Sequence, residues 1–394
     1  MNCYEDLKWR GLIKDISSPE LIDKLNEGNM KFYWGTDPTA DSLTIGHYSS
    51  LVTAKRLASY GHKPILLIGG ATGLIGDPRP SGEREIISKE TLDGYYECIK
   101  AQVTKLFNGN IELVNNYDWM KNFSFLDFLR DIGKYINVNY MLNKDIISRR
   151  LESGITFAEF SYTLIQGYDF LHLYKEKGVT LQAAGSDQWG NITTGIELIR
   201  KLTGEEAYGF TMPLILDTTG KKIGKSEGNA LWIDKEKTSP FKIYQYFINT
   251  ADSLVGHYLR VFTFLSKEEI EALEEKVKTE PEKREAQKAL AFEVVKDLHG
   301  EEEAIKAKEA SAAAFSGGIS EDMPSVEVEE KEYNILDLLV LTNLAPSKSE
   351  ARRNVEQGGV KVNNEKVEDV NALIKIDNTI IQRGKKNIVK VTNK

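Results

Sequence analysis

Cysteine is scarce in this 394-residue chain. Cys3 and Cys98 are its two. Two thiols build neither a disulfide framework nor a four-cysteine zinc site, and they suit a reducing compartment. Proline is also sparse, at 10 residues, and the 31 glycines follow no period, which excludes collagen-like and proline-rich chains. Long apolar runs are missing. The longest charge-free apolar stretch, residues 64–76, is too short and too glycine-rich to cross a bilayer. The first eight residues are charged and carry no apolar signal-peptide core. A cytoplasmic protein without a membrane partner is expected.

What is present is the composition of a folding chain: 41% hydrophobic and 28% charged residues. The net charge of −8 speaks against general nucleic-acid binding, yet it is uneven. Residues 333–394 carry 11 Lys and Arg against 7 Asp and Glu, while the rest carries 40 against 52. A basic tail on an acidic body points to the tail as the part that meets an anionic partner, or to a merely solvated surface.

Short apolar runs at Phe32–Trp34, Ile65–Ile68 and Thr180–Ala183 read as buried strands, each leading through glycine or proline into a helical pattern. That alternation predicts an α/β domain with a parallel sheet over residues 1–218. A helix over 45–60 ends at Gly61. Residues 219–237 form a basic loop segment. Residues 238–316 read as helical, with a capping box at Ser266 and Glu269. Residues 317–332 read as a small, acidic linker before a last compact unit, 333–394.

Four segments carry chemistry. In Gly35-Thr36-Asp37-Pro38-Thr39 through Leu43-Thr44-Ile45-Gly46-His47, a strand ends and a helix begins. Free N–H groups and the helix dipole there attract anions. Gly46 leaves room for a ligand, and Thr44 and His47 can face one phosphate. Lys221-Lys222-Ile223-Gly224-Lys225-Ser226 is a basic, glycine-bearing loop able to close on a polyphosphate. Tyr162, Gln166 and Asp169 share one helix face at i, i+4 and i+7, suited to a small zwitterion. Gly185-Ser186-Asp187-Gln188-Trp189-Gly190-Asn191 follows a strand, where open α/β sheets bind ligands. Singly, each is equally a capping segment, an exposed turn or a solvent face.

Their joint order is specific. Along nearly its whole length the chain resembles the bacterial tyrosyl-tRNA synthetases, of class I. GTDPTADSLTIGH is similar to the HIGH-containing segment and KIGKS to the KMSKS loop. GGATGLIGDP, EFSYTLIQGYDF and GSDQWGN resemble segments of this synthetase in particular. Pro346–Arg353 with Gly359–Asn364 resembles the S-four type RNA-binding domain.

The resemblance implies a Rossmann-like parallel-sheet catalytic domain, a helical tRNA-binding domain and a small C-terminal α+β domain. It implies activation of tyrosine by ATP, with magnesium carried by the nucleotide, and tyrosyl transfer to tRNA(Tyr). No tightly bound cofactor and no protein-held metal are expected. Tyr33 and Asp169 would hold the substrate phenol. Tyr162, Gln166 and Asp77 would hold its ammonium, with Gln182 nearby. Gly35, Asp37, Gly46, Ser50, Asp187 and Gln188 would surround adenosine and the α-phosphate. Thr39, His47, Lys222, Lys225 and Ser226 would surround the reacting phosphates. Arg352 and Arg353 would contact RNA, and a homodimer is expected. Two departures stand out: Thr44 replaces the first histidine of HIGH, and the loop after Asp77 lacks the usual lysines, leaving Arg79 or Arg84 as substitutes. A relic RNA-binding protein and a tryptophanyl-tRNA synthetase are the competing readings. Thr44 favours the first, while the Tyr33/Asp169 pair and the tail domain disfavour the second.

Overall fold

The computed structural model describes residues 1–394 except 79–86, 152–153, 224, 227–228, 316–322, 324, 330, 385–386 and 394, and except the side chains of 145–146, 225–226 and 229. Two compact units emerge, Met1–Trp232 and Ile233–Lys394.

The first unit is built on a six-stranded sheet: β1 (Asp15–Ile16), β2 (Lys31–Thr36), β3 (Lys63–Ile68), β4 (Glu112–Asn115), β5 (Leu181–Gly185) and β6 (Tyr208–Met212). Their order across the sheet is β1–β6–β5–β2–β3–β4. β2 to β6 run parallel, and β1 pairs antiparallel with β6 at one edge. Phe32, Tyr33 and Trp34 are consecutive and all buried, so both faces of the sheet are covered. The three strands expected from apolar runs are present: β2 and β3 are longer by three and two residues, and β5 begins one residue later and ends two later than expected.

The chain moves outward from β2 to β3 and β4, then returns to β5 on the other side of β2. The order therefore reverses between β2 and β5. In open α/β sheets the crevice beyond the carboxyl ends of such strands is the binding position. Asp37 follows β2 there, and Ser186 and Asp187 follow β5.

Two helices frame the crevice. Phe157–Lys177 starts with a Thr156/Glu159 capping box, and Glu159 also holds buried Arg150 at 2.7 Å. It packs closely on the Trp189–Thr203 helix. A Cβ on Gly167 would stand 2.9 Å from Thr194 Cγ2, and one on Gly195 would stand 2.8 Å from Phe170 Cβ. Neither position has room for a larger residue, and the glycines set how near the helices lie.

Among the described residues, the second unit combines the helices Pro240–Ile248, Asp252–Phe262, Lys267–Thr279, Glu285–His299 and Glu301–Phe315, and further on Ile335–Leu341 and Lys348–Glu356, with a five-stranded sheet and a two-stranded one. The Ser266/Glu269 capping box is present. Two findings revise the expected divisions. Ser325–Val328, placed in the linker, is a strand that pairs in parallel with Asn387–Asn393, and Val328 is buried. Phe241, Ala310 and Ala314 share one apolar cluster with Met323, Ile380 and Ile388, so helices and tail are packed together. Within the tail, Leu338, Leu339, Ala351, Val355, Val360, Ile381 and Val391 form a core of their own. The expected α+β character holds.

Candidate active site

The crevice is assembled from the ends of β2, β3, β4 and β5. After β3 the chain runs through Gly69-Gly70-Ala71-Thr72 beneath Asp37. Thr72 Oγ1 donates to Asp37 Oδ1 at 2.7 Å. A Cβ on Gly69 would lie 2.2 Å from both atoms, and one on Gly70 would lie 2.3 Å from Asn115 Oδ1. The two glycines are required by close approach. Tyr162, on the opposing helix, donates to Asp37 Oδ2 at 3.0 Å.

Asn116, just past β4, is a fully buried junction. Its Nδ2 donates to Thr72 Oγ1 and to Asp169 Oδ2, both at 3.0 Å, and its Oδ1 accepts from the Ala71 N–H at 2.7 Å. Trp119 Nε1 donates to Asp169 Oδ1 at 2.8 Å. Asp169 is thus wholly buried, yet both of its oxygens are hydrogen-bonded. Burial pushes its pKa up to about 7, against the pull of the Asn116 and Trp119 hydrogen bonds and with a further push from Asp37.

Tyr33 lies at the same end, its ring 5.3 Å from that of Phe170. Its hydroxyl is buried and has no hydrogen-bond partner, as is Gln182 Oε1. Burial, then the nearby Asp169 charge, raises the Tyr33 pKa well above the usual tyrosine value, so it stays a neutral hydroxyl. Buried polar atoms left without partners are uncommon in folded chains. Here they mark an end of the crevice shaped for a polar guest.

At the other side, Asn191 Nδ2 donates to Gln166 Oε1 at 2.9 Å and to Gln188 Oε1 at 2.8 Å, and Gln188 Nε2 donates to Asp77 Oδ2 at 3.1 Å. Tyr162, Gln166 and Asp169 therefore form a site-facing stripe; Tyr162 and Asp169 are buried, which excludes a solvent face.

The side around Gly35, Thr39 and Asp187 is more open. Gly35, Thr39 and Asp187 are exposed, and Ser50 is half-buried. Thr44 caps the Ile45–Ser59 helix in a capping box with His47. The Thr44 N–H donates to His47 Nδ1 at 3.1 Å, and the Thr44 hydroxyl lies 3.0 Å from the same nitrogen. Since Nδ1 accepts, the ring proton sits on Nε2. Thr44 and His47, the pair expected to face one phosphate, are hydrogen-bonded to each other. A Cβ on Gly46 would stand 3.4 Å from the Ile223 carbonyl oxygen and 3.5 Å from Thr44 Oγ1, both ordinary contacts. Lys222 pairs with Asp187 at 2.9 Å. Beyond it the backbone of Lys225–Ser226 pairs antiparallel with Asn229–Ala230. The side chains of Lys225 and Ser226 lie outside the described residues, as do Arg79 and Arg84.

Two contributors, Asn116 and Trp119, escape sequence reading, while Thr72 and Asn191 lie in singled-out segments without a role assigned to them. Asn116 follows the β4 strand, so the rule that ligand sites gather at strand carboxyl ends applies to it as well as to Asp187.

Residues 25–316 match the family model of class I tRNA synthetases of the W and Y type. The chain belongs to this family. Residues 315–391 match the model of the tyrosine–tRNA ligase SYY-like C-terminal domain. Curated relatives include tyrosine–tRNA ligase 1 of Bacillus subtilis, 47% identical with all of both chains covered, and tyrosine–tRNA ligase of Geobacillus stearothermophilus, 46% identical with 98% of each covered. Among solved structures, a C-terminally truncated Aspergillus nidulans mitochondrial tyrosyl-tRNA synthetase is 32% identical, with a TM-score of 0.72 over 80% of this chain and 94% of its own. Class I synthetases use ATP.

Proposed function

We propose that this site activates L-tyrosine with ATP, releasing pyrophosphate, and then transfers the tyrosyl group from the adenylate to the 3′ end of tRNA(Tyr). The carrying observation is the buried Asp169 carboxylate beside the partnerless Tyr33 hydroxyl. A phenol O–H donates to the one and accepts from the other. Phenylalanine would leave both unanswered.

The amino-acid carboxylate attacks the α-phosphorus. A carboxylate oxygen–phosphorus bond forms, and the bond from the α-phosphorus to the bridging oxygen breaks with pyrophosphate. In the second step a hydroxyl of the terminal tRNA ribose attacks the tyrosyl carbonyl and AMP leaves. The first step needs no protein nucleophile, so positioning and neutralisation of phosphate charge carry it. Tyr162, Gln166 and Asp77 hold the ammonium, with Gln182 nearby. Gly35, Asp37, Gly46, Ser50, Asp187 and Gln188 receive adenosine and the α-phosphate. Thr39, His47, Lys222, Lys225 and Ser226 meet the β- and γ-phosphates, with Thr44 fixing His47. Magnesium arrives with ATP as part of that substrate.

Exposed Arg352 and Arg353, on the helix Lys348–Glu356, contact tRNA phosphates. The first unit is the catalytic part and the second the tRNA-binding part. Phe125, Leu126, Leu129, Val138, Leu151 and Phe157 are exposed within one stretch of the first unit, which supports pairing with a second copy. No helix among the described residues is long and apolar enough to cross a membrane. With the scarce cysteines, this supports a cytoplasmic location.

Tyrosine-dependent exchange of labelled pyrophosphate into ATP tests the reading. Exchange with tyrosine and none with tryptophan is expected; its absence with tyrosine overturns it.

A further inference from the structure

Trp119 reaches Asp169 from a weak platform. It lies on the four-residue helix Tyr117–Met120, none of whose residues is buried. The indole is only half-buried, yet its N–H meets a fully buried carboxylate oxygen at 2.8 Å. A side chain placed so must be oriented from outside its own helix.

His172 supplies a plane for it. The imidazole stacks on the indole, with centroids 4.4 Å apart and planes 21° from parallel. His172 stands three residues after Asp169 on the Phe157–Lys177 helix, so stack and carboxylate share one rigid element. Tyr168, four residues before it, approaches from the side at 6.1 Å, and Phe123 packs on Tyr168 at 5.0 Å. Burial holds the His172 pKa below the ordinary value, with opposing influences from Glu176 and Lys177. A neutral, flat ring therefore faces the indole.

We infer that His172 is a positioning residue for amino-acid selection: by stacking on Trp119 it aims the indole N–H at Asp169 and fixes the carboxylate that reads the substrate phenol. The inference rests on the proposed tyrosine reading of this site. The effect of His172 passes through Trp119, on which it stacks.

The test uses the full chain and His172→Phe, which keeps a flat ring, against His172→Leu, which keeps bulk without one. Each is made with Trp119 intact and in a Trp119→Phe background. Pyrophosphate exchange is followed with tyrosine and with phenylalanine, alongside melting temperature. His172→Phe is expected within about twofold of the unsubstituted chain, inside ordinary additivity scatter. His172→Leu is expected to raise the KM for tyrosine and lower the tyrosine/phenylalanine ratio of kcat/KM by about 3- to 10-fold, the range an aromatic pair spans. The kcat and the KM for ATP stay unchanged. With Trp119→Phe in place, which removes the N–H, leucine at 172 should cost nothing further in that ratio.

A merely structural histidine behaves otherwise. If the leucine and phenylalanine variants keep the same ratio, or if the leucine effect persists without the indole N–H, the inference is overturned. A leucine variant that melts earlier yet retains the ratio overturns it too. If the unsubstituted chain shows no tyrosine-dependent exchange, the proposed function itself fails and takes this inference with it.

Discussion

The Tyr162 hydroxyl donates to Asp37 Oδ2 at 3.0 Å, tying the middle of the Phe157–Lys177 helix to the carboxyl end of β2. The family resemblance places these two residues around different substrates, Tyr162 at the ammonium and Asp37 at the adenosine. The hydrogen bond makes them one unit. Tyr162→Phe leaves Asp37 with the Thr72 hydroxyl at 2.7 Å but removes a bond to a charged group, worth roughly 1.5–3 kcal/mol. Both KM values, for tyrosine and for ATP, should rise, the first by about tenfold or more. Steady-state exchange kinetics decide it. A rise confined to tyrosine would mean that Asp37 keeps its place without Tyr162.

Thr44 is where the chain departs from the HIGH pattern, and its hydrogen bonds give the departure a physical meaning. A hydroxyl is a good helix N-cap and alanine a poor one. Thr44→Ser should keep the capping box and the His47 orientation. Thr44→Ala keeps only the backbone N–H to Nδ1 and loses about 0.5–2 kcal/mol of capping. Single-turnover adenylate formation should follow the order of capping, with serine near the unsubstituted rate and alanine slower. An alanine variant with unaltered rate and melting temperature would remove Thr44 from the mechanism.

The tail is better tested by charge than by deletion. Removing residues 333–394 would strip Ile380 and Ile388 from their cluster with Phe241, Ala310 and Ala314. Arg352→Ala with Arg353→Ala changes two exposed side chains instead. Pyrophosphate exchange should stay unchanged while the KM for tRNA rises. The slope of log affinity against log salt should shrink by about one for each arginine that meets a phosphate. An unchanged salt slope would place the RNA-binding surface elsewhere.

The legible parts of this chain are those with local cause. Apolar runs announce β2, β3 and β5, Ser266 with Glu269 announces a helix start, and the i, i+4, i+7 spacing puts Tyr162, Gln166 and Asp169 on one face. The illegible parts depend on residues far apart. Asn116 acts because β4 lies beside β3, 45 residues from the Ala71 N–H it receives. Trp119 reads as an ordinary apolar residue until the fold brings Asp169 beneath it. The strand at Ser325–Val328 is short and acidic, and it becomes a strand through its parallel pairing with Asn387–Asn393. In each case tertiary contact outweighs local preference.

Tyr33 carries a hydroxyl that folding buries without a partner. Such a group costs about 1–3 kcal/mol in desolvation. Tyr33→Phe should therefore raise the melting temperature of the ligand-free chain. It should also lower the tyrosine/phenylalanine ratio of kcat/KM by about tenfold, the loss of one neutral hydrogen bond. Stability and selectivity moving in opposite directions would identify strain kept for substrate. A fall in both would mean that the hydroxyl is already satisfied in the free protein.

Asp169 should give this chain a pH dependence that its neutral counterpart lacks. Its pKa stands at about 7 in the fold, against 3.8 as the ordinary value, chiefly because burial disfavours the charge. Below about pH 4 folded and unfolded chains both hold the proton. As pH rises, the unfolded chain releases it first, while the folded chain keeps it until about 7. The unfolded state binds fewer protons across that window, so this group's contribution to stability falls as pH rises through it and is level above it. Asp169→Asn removes the titration. It also leaves Asn116 or Trp119 facing an amide N–H, a cost that is the same at every pH. Whatever the offset, the melting temperature of the Asn variant should gain on that of the unsubstituted chain between pH 4 and about 7, and no further above. The KM for tyrosine should rise below about pH 7 in the unsubstituted chain alone, as the carboxylate that accepts the phenol becomes protonated. Melting curves and exchange kinetics measured in parallel from pH 5 to 8.5 check both. A constant gap between the two melting temperatures would show that Asp169 is ionised throughout, and its hydrogen bonds from Asn116 and Trp119 would then outweigh its burial.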